Sequence, residues 1–300
     1  MSKVKLILRP DEFTSFTSFY LESFWQEYFD IEWFDSEKTY DKSTLFAVWW
    51  MNADDKYSRQ LKNSGHIVII DNLWELPRSE YSNNYYELNN KNWCWYNESL
   101  WWQHLGYHNY VPKKTYKKLS FMSVRRPSKE RKAIIDLLGA RLENFIWSYQ
   151  DKKLPNDTTT IDPNYQRFFN SEWYDDTYFS TVVETSQIGD CWWPTDKTFK
   201  ACAYYHPFLI IGQHHTLKRL KELGFETYDN IFDESYDNIE DFDARLNTVI
   251  ANIDNFYKIP YDSITIGKLK HNHNLFFNKE LVEQRIFKEI VEPLISYAET

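Results

Sequence analysis

Residues 179–225 read FSTVVETSQIGDCWWPTDKTFKACAYYHPFLIIGQHHTLKRLKELGF, an order of short apolar runs and polar turns that leaves few folds open. Residues 179–183 are apolar and β-branched and run straight into Glu184 and Thr185, which predicts a buried strand ending in a carboxylate and a hydroxyl. Thr195 is placed to cap the helix that follows, Asp196 suits its first turn, and Lys197 sets a cation beside the same helix end. A second apolar run, 208–211, closes at Gly212. The next helix, from His214 to Leu223, ends at Gly224, as expected where glycine takes the left-handed position after a helix. Strand, turn, helix, strand, helix is the repeating unit of a parallel α/β sheet. Ligands of such sheets bind outside the carboxyl ends of the strands, where helix N-termini present unpaired N–H groups. Glu184, Thr185, Thr195, Asp196 and Lys197 belong to that edge, and they suit a ligand with hydroxyls and negative charge, as a nucleoside diphosphate has.

The rest of the chain fits this scheme. Its 300 residues are enough for two domains, and 42% hydrophobic with 26% charged residues is the balance of a globular protein with real cores. No run approaches the roughly 20 apolar residues of a membrane helix, and the opening MSKVKLILRPDEF has too short an apolar stretch for a secretory signal, so the expectation is a cytoplasmic protein. Cys94, Cys191 and Cys202 are odd in number and lack a CxxC pattern, which speaks against a disulfide framework or a zinc site. His271 and His273 have no nearby carboxylate to complete a ligand set, and no metal is expected.

The net charge of −9 disfavours a surface that coats nucleic acid, although Lys113, Lys114, Lys117, Lys118, Arg125, Arg126, Lys129, Arg131 and Lys132 crowd one segment. Aromatic residues make up 19% of the chain, with 13 Trp, in clusters such as Trp93–Trp95, Trp101–Trp102 and Trp192–Trp193. These rings suit stacking on sugars or bases, and equally suit core packing.

Along the chain, strands are expected at 3–8, 45–51 and 66–70 and a helix over 15–29, giving an N-terminal α/β domain over 1–115. Val111 and Pro112 mark the crossing to a second domain over 116–278. That domain opens with a strand at 119–124 and an amphipathic helix over 128–142, which Ser128 is able to cap. Residues 154–175 form a long polar excursion, 225–228 a last short strand, and 233–243 an acidic solvated turn. Helices follow at 241–256 and 279–297, the latter expected to pack back on the first domain.

The segment Glu184, Thr185, a polar turn, Thr195-Asp196-Lys197-Thr198-Phe199-Lys200, then Pro207-Phe208-Leu209-Ile210-Ile211-Gly212 resembles the donor-binding segment of α-1,3-fucosyltransferase-like enzymes and related phage and bacterial glycosyltransferase-like proteins. The resemblance covers roughly residues 115–275, and Asp196 departs from the family's usual Glu. It implies a GT-B-like fold, two Rossmann-type domains facing a central cleft, and transfer of a sugar from a nucleoside diphosphate donor without a metal or other cofactor. By the same resemblance Arg126 and Arg131, in a strand-loop-R-x(4,5)-R element, join Lys197 as diphosphate ligands, and Gly212 belongs to the donor site.

Such a transfer needs cations for the departing diphosphate and a base for the acceptor hydroxyl. Arg126 and Arg131 lie after a strand, where guanidinium groups fork onto phosphate oxygens. Glu184 suits either hydrogen bonds to donor hydroxyls or a capping role. Asp196 is stabilising in a first helical turn with or without a ligand. Asp71, at the end of the strand HIVII, is the first candidate for the base and Glu75 the second, and either can equally cap a following helix. The acceptor is left open between a glycan, a lipid-linked sugar and a hydroxylated DNA base. No P-loop, G-x-G-x-x-G or G-x-S-x-G motif occurs, which sets aside P-loop hydrolysis, nicotinamide chemistry and acyl-transfer triads. A catalytically silent nucleotide- or carbohydrate-binding protein and a nucleic-acid-binding factor are the competing readings.

Overall fold

The computed structural model describes residues 4–8, 26–33, 45–49, 66–70, 85–88, 92–124, 127–156, 170–185, 187, 194–258 and 260–298. The chain divides into two compact units, Met1–His104 together with Lys279–Thr300, and Leu105–Asn278.

In the first unit β1 (Val4–Leu8), β2 (Phe29–Trp33), β3 (Leu45–Trp49), β4 (His66–Ile70) and β5 (Tyr85–Leu88) form one sheet in the order β2-β1-β3-β4-β5. Every pairing is parallel. Runs such as HIVII suit strands covered on both faces, where alternation is not required. Helix α1 (Trp93–His104) buries Trp95, Tyr96 and Trp102 completely. These rings are core, the packing alternative left open for the aromatic clusters. The Tyr96 hydroxyl donates to Glu289 Oε2 at 2.7 Å, and the Arg285 guanidinium lies 5.0 Å from the Trp95 ring centre, so residues past 279 complete this core. Two expectations change here. Phe29, read as the end of a helix, opens β2, and β5 was not foreseen because its YYEL sequence is short and carries a charge. Residues 15–25 of that helix lie outside the described residues.

The second unit holds β6 (Lys118–Ser123), β7 (Phe145–Ser148), β8 (Thr177–Val183) and β9 (Phe208–Ile211) in a parallel sheet ordered β7-β6-β8-β9. Its helices are α2 (Lys129–Leu138), α3 (Ser171–Asp175), α4 (Asp196–Ala203), α5 (Thr216–Glu222), α6 (Phe242–Asn255) and α7 (Ser263–Phe276). Helices α8 (Lys279–Ile286) and α9 (Glu292–Ala298) return to the first unit. From β6 the chain moves outward to β7, then returns to β8 on the other side of β6. The strand order therefore reverses between β6 and β8, and a switch point of this kind opens a crevice at the carboxyl ends. Helices α2 and α4 start at those ends. Phe179 and Val183 of β8, Leu209 of β9 and Phe199 of α4 are fully buried, each worth about 1.5–3 kcal/mol of burial for the larger apolar side chains.

Residues 225–228 are not a strand. The Asn272 side chain accepts from Glu226 N at 2.7 Å and donates to Glu226 O at 2.8 Å, so one amide from α7 replaces the ladder a fifth strand would need. The run FETY looks β-forming because Phe225 and Tyr228 are core residues.

Candidate functional site

The carboxyl edge of the second sheet is assembled by caps that the local sequence encodes. Ser128 caps α2, its hydroxyl accepting from Arg131 N at 3.1 Å, which sets Arg131 in the first turn. Thr195 caps α4 by accepting from Lys197 N, and Lys197 Nζ donates to the same hydroxyl at 3.2 Å. The pairing of Val183 with Ile211 puts Glu184 and Gly212 side by side at the strand ends.

Glu184 is the hub. Fully buried, it accepts at Oε1 from Thr195 N (3.0 Å) and the Thr198 hydroxyl (2.6 Å), and at Oε2 from the Thr195 hydroxyl (2.5 Å). Of the two roles open to this carboxylate, the capping one is on display: it ties β8 to the start of α4. Its main-chain carbonyl accepts from Arg131 Nη2 at 3.3 Å and from the Gln187 side-chain amide. Arg131 from α2, Glu184 from β8, and Thr195 and Lys197 from α4 thus form one connected chain of hydrogen bonds. Thr185, next to Glu184, is exposed at this edge.

Asp196 forms an ion pair with Lys200, 2.6 Å apart and one helical turn on. Burial pushes the Asp196 carboxyl up, but Lys200 and Lys197 overcome this and hold it below the usual aspartate range. The resulting edge carries a negative group between two lysines. Gly212 has a packing reason to be glycine: a Cβ there would lie 3.2 Å from Thr216 Oγ1 and 3.6 Å from Glu184 Cβ.

The neighbouring helix start is closed. Asp237 is buried, its two oxygens accept from Leu217 N (2.9 Å) and Lys218 N (3.0 Å), and its carbonyl accepts from His215 N (2.6 Å). A carboxylate of the chain itself occupies the place an anion would take at α5. Asp237 belongs to the segment expected to be solvated, and that expectation is corrected. His215 precedes α5 with a φ of 62°, a costly backbone for a residue with a side chain. An open groove of about 640 Å³ beside α5 is lined by Lys218, Lys221, Glu222 and Glu234, with Lys221 and Glu234 paired at 2.9 Å, and it lies apart from the Glu184 chain.

Among the described residues, the lysine-rich segment does not make one patch. Lys117 pairs with Asp176, Lys118 Nζ donates to Glu143 O, and Lys132 pairs with Asp136. Lys113, Lys114 and Lys117 precede β6 at its amino end, whereas Arg131 and Lys132 follow its carboxyl end. His271 and His273 serve main-chain carbonyls, of Gly224 and of Ala203 respectively. Asp71, Glu75 and Arg126 lie outside the described residues.

No protein-family model matches the chain, and no curated protein does. Among solved structures, an α1,3-fucosyltransferase aligns over 97% of this chain and 91% of its own, with 14% identity and a TM-score of 0.50. The fold resembles that of an α1,3-fucosyltransferase. Structures of an α1,3-fucosyltransferase with GDP-fucose and with GDP align over the same shares at 15% identity, with TM-scores of 0.44 and 0.45. The alignment thus covers nearly the whole chain, whereas the resemblance read from sequence covers roughly residues 115–275.

Sequence reasoning missed Gln187, Asp237 and Arg245. Arg245 is buried in α6 and donates to the carbonyls of Gly212, Gln187, Ile239 and Glu240. An arginine in an otherwise ordinary amphipathic stretch, DARLNTVI, gives no sign of that role; only the three-dimensional partners do.

Proposed function

We propose that the protein is an inverting, metal-independent glycosyltransferase of the GT-B type that takes a sugar from a nucleoside diphosphate bound at the carboxyl edge of the second unit. The acceptor oxygen attacks the anomeric carbon as the bond to the diphosphate oxygen breaks. The acceptor proton passes to a carboxylate of the first unit, Asp71 with Glu75 as alternative, and the leaving diphosphate gains its compensating charge from Lys197, Arg131 and Arg126. Thr185, Asp196 and Gly212 complete the donor site, with Glu184 holding its framework. A GDP-sugar is the first donor to try because the fold match is to a fucosyltransferase. The acceptor hydroxyl belongs to a glycan or, as the second choice, a hydroxylated DNA base. The split of the lysine-rich segment between two ends of β6 weighs against nucleic acid.

The observation that carries this reading is the connected chain from Arg131 through Glu184 and Thr195 to Lys197 at a sheet switch point. Incubation with GDP-fucose and with other nucleotide sugars is expected to release free nucleoside diphosphate slowly, and faster with acceptor. Lys197→Ala is expected to lower that release at least tenfold with little change in melting temperature. Arg131→Ala is a poorer probe, because Arg131 is buried and its loss also destabilises the fold. Binding of nucleotide with no turnover of any donor would favour the silent binding-protein reading instead.

A further inference from the structure

We propose that Arg245 is a positioning residue for the donor site, a brace that fixes the turns following β8 and β9 to one planar guanidinium. This rests on the nucleotide-binding reading above. Four donor contacts support it, all to main-chain carbonyls: Nε to Gly212 at 3.2 Å, Nη2 to Gln187 at 2.7 Å, and Nη1 to Ile239 at 2.5 Å and Glu240 at 2.9 Å. Gly212 is the first residue past β9, Gln187 lies in the turn past β8, and Ile239 and Glu240 lead into α6.

The side chain is buried, and none of these contacts is to a carboxylate. Burying a cation costs several kcal/mol, which charge-assisted bonds offset only when their geometry is good. The arrangement holds three separate segments in one register. Gln187 is held twice, since its side-chain amide also donates to the Glu184 carbonyl, where Arg131 arrives from α2. Two buried guanidinium groups from two helices, Arg131 and Arg245, therefore meet the β8–α4 turn. Glu184 and Gly212, the strand-end pair of the candidate site, are each fixed by one of them.

Lysine does not replace this. A single ammonium carries three tetrahedral donors on a flexible stem and cannot span four acceptors on three segments. Arg245→Lys, with Arg245→Met as the charge-free companion, is compared with wild type well below the melting temperature, by hydrogen–deuterium exchange and by GDP titration. The expected result is exchange at least tenfold faster at Thr185, Gln187 and residues 212–216, unchanged protection of β6 and β8, and GDP affinity at least tenfold weaker. In turnover of the donor, KM rises while kcat changes less than threefold. Uniformly raised exchange, or local loosening with GDP affinity intact, would overturn the proposal. If wild type itself binds no GDP or other nucleoside diphosphate, the functional reading fails, and the exchange result still decides whether Arg245 is the brace. Should Arg245→Met not fold, Arg245→Lys carries the test.

Discussion

At the scale of single residues the second unit turns on Glu184, one buried carboxylate with three hydrogen bonds to α4. Glu184→Ala leaves a buried N–H and two hydroxyls without that acceptor, and we expect a loss of about 3 kcal/mol in urea unfolding. Glu184→Gln keeps the shape and half the acceptor capacity and is expected to lose about 1 kcal/mol. Asp196 gives a pH signature. Because Lys200 and Lys197 hold its folded-state carboxyl below the ordinary range, its contribution is complete above the unfolded value of about pH 4 and is lost as pH falls through the depressed folded value. The stability difference between wild type and Asp196→Asn should therefore be constant above about pH 5 and shrink on further acidification.

At the scale of elements, the starts of α4 and α5 are capped differently, α4 by its own Thr195 and α5 by Asp237 from twenty residues further on. Both follow a strand of the sheet, yet the buried carboxylate of Asp237 already fills the start of α5. Asp237→Ala is expected to cost about 2 kcal/mol in urea unfolding, the upper range for an N-terminal cap, and to leave the proposed nucleotide affinity unchanged. This contrast shows what was legible beforehand. The Ser128 and Thr195 caps, the run 179–183 and the glycine at 224 are local signals acting over one to four residues, and the structure carries them as β8, α2, α4 and the end of α5. Asp237, Arg245 and Asn272 act on partners 20, 33 and 46 residues away, and a period or a motif does not carry that information. The error at 225–228 has the same source, since burial of Phe225 and Tyr228 mimics a strand while Asn272 supplies the hydrogen bonds.

At the scale of the whole molecule, the chain is two parallel α/β units, and the fold match extends over 97% of it. The segment entering the second sheet holds a group whose titration reports on the fold. Lys114 donates to the Tyr174 carbonyl at 3.0 Å, and burial pulls its ammonium down to about 7 against a nearby Asp175. Between about pH 7 and about pH 10 the unfolded chain binds a proton there that the folded chain has released, so this site adds stability as pH rises. Lys114→Met should accordingly stabilise most near neutral pH, and its advantage should shrink toward pH 10, as read by urea unfolding across that window. His206 does not share this behaviour near neutrality: burial and Lys114 hold it neutral, with Nδ1 2.7 Å from the Ser180 hydroxyl. The account as a whole stands on the Arg131–Glu184–Thr195–Lys197 edge as a diphosphate site, and calorimetric titration of GDP into wild type and Lys197→Ala tests it most directly. Saturable binding by wild type, weakened at least tenfold in the variant with its melting temperature within about 2 °C, is the predicted result; equal affinity in both proteins, or no binding of any nucleoside diphosphate to wild type, would contradict it.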